Sequence, residues 1–207
     1  MGIDRYNTIV NEAEGEITEK KSRFICNLYH IESEEEISIY VEALRKKHYQ
    51  ARHVCYAAIL SESGEVVKYS DDGEPSQTAG KPMLEILKGR QLTYTLACVT
   101  RYFGGVLLGT GGLVRAYSDA LTEALNNATI VTKRLCRKIS CVIDYQTVGK
   151  IKYKLENYEA VITDEEYSDK VKMTVSMPEE YADLFLAFVT EISAGKAETE
   201  KLGIDYV

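Results

Sequence analysis

The chain has 207 residues, 45% hydrophobic and 28% charged, with a formal net charge of -7; it can bury a substantial core, and its acidity excludes a general nucleic-acid binder, which needs clustered Lys and Arg. Residues 1–24 are charged throughout and apolar runs such as Leu184 to Val189 are far short of a membrane span, so neither a signal peptide nor a membrane span is expected and the predicted location is cytoplasmic, with no membrane partner. The five cysteines (Cys26, Cys55, Cys98, Cys136, Cys141) are odd in number and contain no C-x-x-C pair, which predicts reduced core thiols rather than disulfide or zinc chemistry.

Gly15 to Ile31 reads as a strand or hairpin. Ser33 and Glu36 then form a capping box ahead of Ile37, Tyr40, Val41 and Leu44, apolar at helical spacing. Ala51 to Leu60 and Val66 to Tyr69 are strands around a turn, DDGEPSQTAG is a loop by its Gly, Pro, Asp and Ser content, and a short helix runs from Pro82 to Lys88. Thr93 to Val99 is a β-branched strand that delivers the chain into a glycine-rich loop and a helix with Leu113, Val114, Tyr117, Leu121 and Leu125 on one face.

From Arg134 the pattern is cleaner. Alternating apolar residues to Tyr145 predict a strand, and Val148, Ile151, Leu155 and Tyr158 a helix. Ala160 to Tyr167 and Lys170 to Met177 form a hairpin, a helix follows Pro178, and Lys196 to Ile204 is a last strand. The order βαββαβ is the split βαβ, ferredoxin-like unit. The fold class is therefore α+β, with domains at residues 1–130 and 134–207 and a boundary near Thr129 to Lys133.

Two motif-dense stretches are the candidate binding surfaces. In RYFGGVLLGTGGLVRAYSDA, Thr110 stands where a Walker A loop needs its Lys, and Val114 where a dinucleotide fingerprint needs its last Gly, so neither fingerprint is present. What remains is a set of backbone N-H groups at a helix start (Gly104, Gly105, Gly109, Gly111, Gly112) with Arg101, Tyr102 and Arg115 beside them. That set suits an anion; equally, the glycines permit close packing, and Arg115 pairs with Asp119 four residues on. In DDGEPSQTAG the candidates are Asp72, Gly73, Glu74, Pro75, Thr78 and Gly80, with Asp71 alongside. Turn chemistry explains such residues, and neither metal nor cofactor is expected. The two stretches are expected to meet in one cleft. His48 and His53 sit among Arg45, Lys46, Lys47 and Arg52 as a basic helix end. The strand KVKMTVSM has no aromatic on which an RNA base could stack. Any nucleic-acid contact is expected to be weak and to centre on Arg101, Arg115 and that basic group.

DDGEPSQTAGKPML and RYFGGVLLGTGGLVRAYSDAL together resemble the IMPACT family, specifically its two-domain bacterial, YigZ-like branch, over the whole chain. Gln77, where a glycine is usual, and Leu107, where a lysine is common, depart from the family pattern. The resemblance implies an N-terminal domain like the second domain of a small-subunit ribosomal protein and a C-terminal domain similar to the last domain of elongation factor G. It also implies a regulatory or binding role linked to translation, since eukaryotic relatives regulate translation through a scaffold protein. The expected partner is RNA, a ribosome-associated factor or another protein, and the alternative is an enzyme acting on a phosphorylated small molecule at the glycine loop. No catalytic residue is identified.

Overall fold

The computed structural model describes residues 3–207, which divide into a first unit of Tyr6–Thr132 and a second of residues 3–5 with Lys133–Val207. The first unit is built on an antiparallel sheet in the order β2-β3-β6-β4-β5. Its strands are β2 (Ala13–Glu19), β3 (Ser22–His30), β4 (His53–Ile59), β5 (Val67–Ser70) and β6 (Thr95–Tyr102). Ahead of them lies β1 (Arg5–Ile9), in which Tyr6 and Ile9 alone make too short a pattern to announce a strand.

The central strands are covered on both faces, so they read as continuous apolar runs; every residue of β6 from Thr95 to Arg101 is buried. On one face Phe24, Leu28, Cys55, Ala57 and Val99 pack against α2 (Gly80–Gly89) and α3 (Gly109–Asn126) through Met83, Leu87, Tyr117 and Leu121. On the other, Tyr29, Val54, Leu96 and Cys98 pack under Ile37 and Leu44 of α1 (Glu34–Lys47). That helix begins with the capping box its sequence predicts: Glu36 Oε2 accepts the Ser33 and Glu32 N-H groups at 2.9 and 2.7 Å. Three acids in its first turn and three bases in its last complement the helix dipole.

The second unit follows the order β7 (Ile130–Ile143), α4 (Tyr145–Leu155), β8 (Val161–Tyr167), β9 (Val171–Pro178), α5 (Ala182–Ile192), β10 (Glu198–Tyr206). Its strands are antiparallel, β8 beside β9, β9 beside β7, and β10 also on β7. Both helices cover one face, where Ile151, Leu155, Phe185 and Val189 cluster with Ile139, Cys141, Met173 and Val175. All five cysteines are buried and unpaired. Among the described residues no helix is long and apolar enough to cross a membrane.

Candidate functional site

The strongest polar feature lies inside the first unit, on the α3 side of the sheet. Arg101, at the end of β6, is 5% exposed and its Nη1 donates to Glu74 Oε1 at 2.6 Å; Glu74 is 8% exposed. The same oxygen accepts the Tyr117 hydroxyl of α3 at 2.8 Å. Behind it the Cys55 thiol is directed to Asp71 O (3.0 Å) and Tyr117 Oη (3.3 Å). Burial, reinforced by Cys55 and Glu74, pushes the Tyr117 hydroxyl far above its ordinary range, and burial likewise pushes the Cys55 thiol up. Both therefore remain donors. Arg101 also lies over the rings of Phe24 (5.3 Å) and Phe103 (5.6 Å). Its Nε is buried without a hydrogen-bond partner among the described residues.

Glu74 is held in place by its loop, and the two preceding aspartates fix that loop. Asp71 Oδ1 accepts the N-H groups of Ala79 (3.0 Å) and Gly80 (2.9 Å), and Oδ2 that of Gln77 (2.7 Å). Asp71 is thus the cap of α2, supplied from outside the helix, and this starts the helix at Gly80 rather than at Pro82. Asp72 accepts the Val54 N-H on Oδ2 (2.6 Å) and Arg45 on Oδ1 (2.5 Å). The backbone takes positive φ at Asp72 (41°) and Gln77 (63°). At the second, where the resemblance implies a glycine, this chain places a glutamine in a left-handed conformation.

Above the Arg101–Glu74 pair opens a cavity of about 320 Å³ lined by Arg52, His53, Glu74, Pro75, Arg101, Phe103, Leu107, Leu108, Gly109, Thr110 and Leu113. His53 Nδ1 lies 2.7 Å from the Asp72 carbonyl, which can only accept, so this nitrogen carries the proton; Nε2 lies 3.9 Å from Glu74 Oε1. Arg52 stacks over Phe103 at 5.4 Å. Phe103 is 38% exposed and Leu107 83%, forming an apolar lip.

The structure brings Glu74, Pro75, Arg101 and Gly109 to this cavity and sends other candidates elsewhere. Gly112 and Arg115 line a separate cavity with Lys20 and Asp119. Arg115 Nε donates back to Gly111 O (3.3 Å), and among the described residues Arg115 makes no ion pair with Asp119, contrary to the pairing expected from their spacing. Tyr102 points to the opposite sheet face, where its hydroxyl meets His48 Nδ1 at 2.9 Å. Thr78 Oγ1 donates to Pro75 O at 2.6 Å within the turn, and Gly73 is a turn residue at φ 82°. A Cβ on Gly80 would stand 2.9 Å from the Ser70 backbone.

The glycine cluster also divides. Gly104 allows close approach: a Cβ there would lie 2.0 Å from the Lys21 carbonyl carbon, and its N-H is bound by Ser22 Oγ (3.1 Å). Gly105 turns the chain at φ 82°. Gly109 starts α3 at φ 72°, and Gly111 and Gly112 belong to the helix rather than to a loop. Arg101 is a buried ion-pair partner and Arg45 is bound to Asp72, so of the group Arg101, Arg115, Arg45, Lys46, Lys47 and Arg52 expected to meet phosphate, these two are already paired.

His53, Phe103 and Tyr117 reach the site without a sequence signal marking them as site residues, and Arg52, expected in a basic group with Arg45, Lys46 and Lys47, lines the cavity instead. His53 neighbours a basic helix end in sequence, but it opens β4 directly opposite Arg101 in register. Tyr117 sits on the apolar face of α3, and only its hydroxyl hinted at a buried polar partner. Among the described residues no group of three His, Cys, Asp or Glu side chains converges to hold a metal.

A family profile for the Impact N-terminal domain matches residues 20–125, and one for a domain of unknown function (DUF1949) matches residues 141–196. The chain is 39% identical over 205 residues to the IMPACT family member YvyE of Bacillus subtilis, covering 99% of this chain and 94% of that protein. It is 36% identical over 181 residues to YigZ of Escherichia coli, covering 86% and 89%. A crystal structure of a hypothetical protein, 32% identical, matches with a TM-score of 0.64 over 98% of this chain and 99% of that one. With both domain profiles matched in order and relatives aligned over nearly its full length, this chain belongs to the IMPACT family.

Proposed function

We propose that this protein is a regulatory binding protein linked to translation, and that the cleft over the Arg101–Glu74 pair is its docking surface for a protein partner. One observation carries the reading. The charged groups at the cleft floor are already engaged with one another, Glu74 Oε1 by both Arg101 and Tyr117, while the lip presents Phe103 and Leu107 to solvent. A carboxylate so committed is poorly placed to abstract a proton, and exposed apolar side chains at a cavity mouth are a surface that association would cover. The link to translation rests on the family resemblance.

The test is a cell-free translation extract supplied with the purified chain and with a Leu107→Asp variant. A dose-dependent change in output that the variant loses supports docking. The start of α3, which opens into the same cavity at Gly109 and Thr110, favours a second reading, an enzyme acting on a phosphorylated small molecule. A thermal-shift series with nucleotides and sugar phosphates distinguishes the two, because only a ligand that binds the folded state raises the midpoint. Stabilisation by such a compound with no effect on translation would overturn the docking reading.

A further inference from the structure

The charges around the cleft define its occupant more narrowly. We infer that the cleft takes an acidic, apolar peptide segment of the partner: a hydrophobic side chain against Phe103, Leu107, Leu108 and Leu113, with a neighbouring carboxylate at Arg52 and the first turn of α3. This rests on the docking reading above.

Among the charged side chains lining the cavity, Arg52 and Arg101 face a single carboxylate, Glu74, leaving one formal positive charge with His53 neutral. The N-terminus of α3 adds roughly half a charge of the same sign. In α1 and α2 the corresponding N-H groups are covered, by the capping box and by Asp71. α3 has no side-chain cap and no acid in its first turn. Buried Arg101, lining the same cavity, keeps an Nε without a hydrogen-bond partner among the described residues. Arg52 is exposed and makes no ion pair among the described residues, so it is available to a carboxylate.

An excess of about one and a half positive charges matches a single carboxylate better than a nucleic-acid backbone, whose several phosphates would each need a cation. The 320 Å³ volume and its leucine and phenylalanine wall suit one apolar side chain of the same segment. Specificity then comes from the charge beside the apolar residue, since a neutral analogue leaves Arg52 and the α3 amides without an anion.

The experiment uses the full chain labelled with ¹⁵N and three acetylated, amidated tripeptides: Phe-Leu-Asp, Phe-Leu-Asn and Phe-Leu-Lys. A uridine oligonucleotide serves as the nucleic-acid probe. The backbone amides of Gly109, Thr110 and Gly111 and the Nε-H of Arg52 report the cleft. The expected result is shifts at these groups with the Asp peptide binding about tenfold more tightly than the Asn peptide, a difference of about 1.4 kcal/mol, and the Lys peptide weakest. Arg52→Gln should reduce the Asp preference to about twofold or less, and Leu107→Ser should weaken all three peptides alike. Equal binding of the Asp and Asn peptides at the cleft would overturn the acidic specificity while leaving docking intact. Cleft shifts with the oligonucleotide and none with any peptide would overturn both. No response to any probe would overturn the inference, while the translation assay would still decide the docking reading independently.

Discussion

Glu74→Gln is the most informative single change in the first unit. It keeps the side-chain volume but leaves the Arg101 guanidinium, on a side chain 6% exposed, without its counter-charge. At the observed 2.6 Å the pair attracts by about 6 kcal/mol for an effective dielectric near 20, a gain largely offset by taking two ions out of water. Removing one partner forfeits the attraction but not the burial of the other, and such changes cost about 3–5 kcal/mol. Because two units can unfold separately, the readout should be local: hydrogen exchange of the β6 amides in urea, where an m-value of about 1–3 kcal/mol/M converts that loss into a midpoint lower by about 1 M or more. The companion variant replaces the whole network by Glu74→Leu, Arg101→Met and Tyr117→Phe, which should lie within about 1 kcal/mol of the parent because no buried charge is stranded. The reasoning would be refuted by a Glu74→Gln loss below about 1 kcal/mol, or by an apolar triple variant as unstable as the single one.

Gly104→Ala should cost about 3 kcal/mol, since its Cβ would meet rigid backbone at Lys21, whereas Gly111→Ala, in open space within α3, should stabilise by about 0.5–1 kcal/mol; equal effects in thermal unfolding would contradict the division drawn between these glycines. Gln77→Gly should stabilise by about 0.5–1 kcal/mol, because relief of the left-handed backbone at φ 63° exceeds the entropy cost of glycine; a destabilised variant in urea melts would argue against it. His48 should titrate below the ordinary 6.5, through desolvation first and then the nearby Lys47; its contribution to stability is complete above 6.5 and is lost as pH falls from there through the lower folded value. An imidazole shift inflecting at or above 6.5 would contradict this.

Elements with a periodic or capping signal were legible from the residues alone. Ser33 and Glu36 announced α1, and the alternation of Val171, Met173 and Val175 announced β9. Boundaries moved where a distant residue decided them: α2 begins at Gly80 because Asp71 caps it across the loop, and no local pattern carries that information. The site was legible as two loops but not as one network. Glu74 and Arg101 were both candidates, yet their contact depends on β4 and β6 lying side by side, a long-range pairing that places His53 opposite Arg101. The motif residues also hid different duties under one spacing, with Gly104 set by packing and Arg115 facing another cavity.

β6 ends on Arg101 and Tyr102, and strand alternation sends them to opposite faces, Arg101 to Phe24 and Glu74, Tyr102 to His48 at the end of α1. Inserting or deleting one residue within β6 would exchange these destinations, placing a phenol under α3 and a guanidinium beside His48. The strand should therefore accept substitutions more readily than changes of length. Residues 105–107, which follow it, have no such constraint, because Val106 and Leu107 project into solvent and loops there can lengthen at small entropic cost. A scan of single-residue insertions should show an abrupt boundary at Gly104, with loss of folding on one side and tolerance on the other.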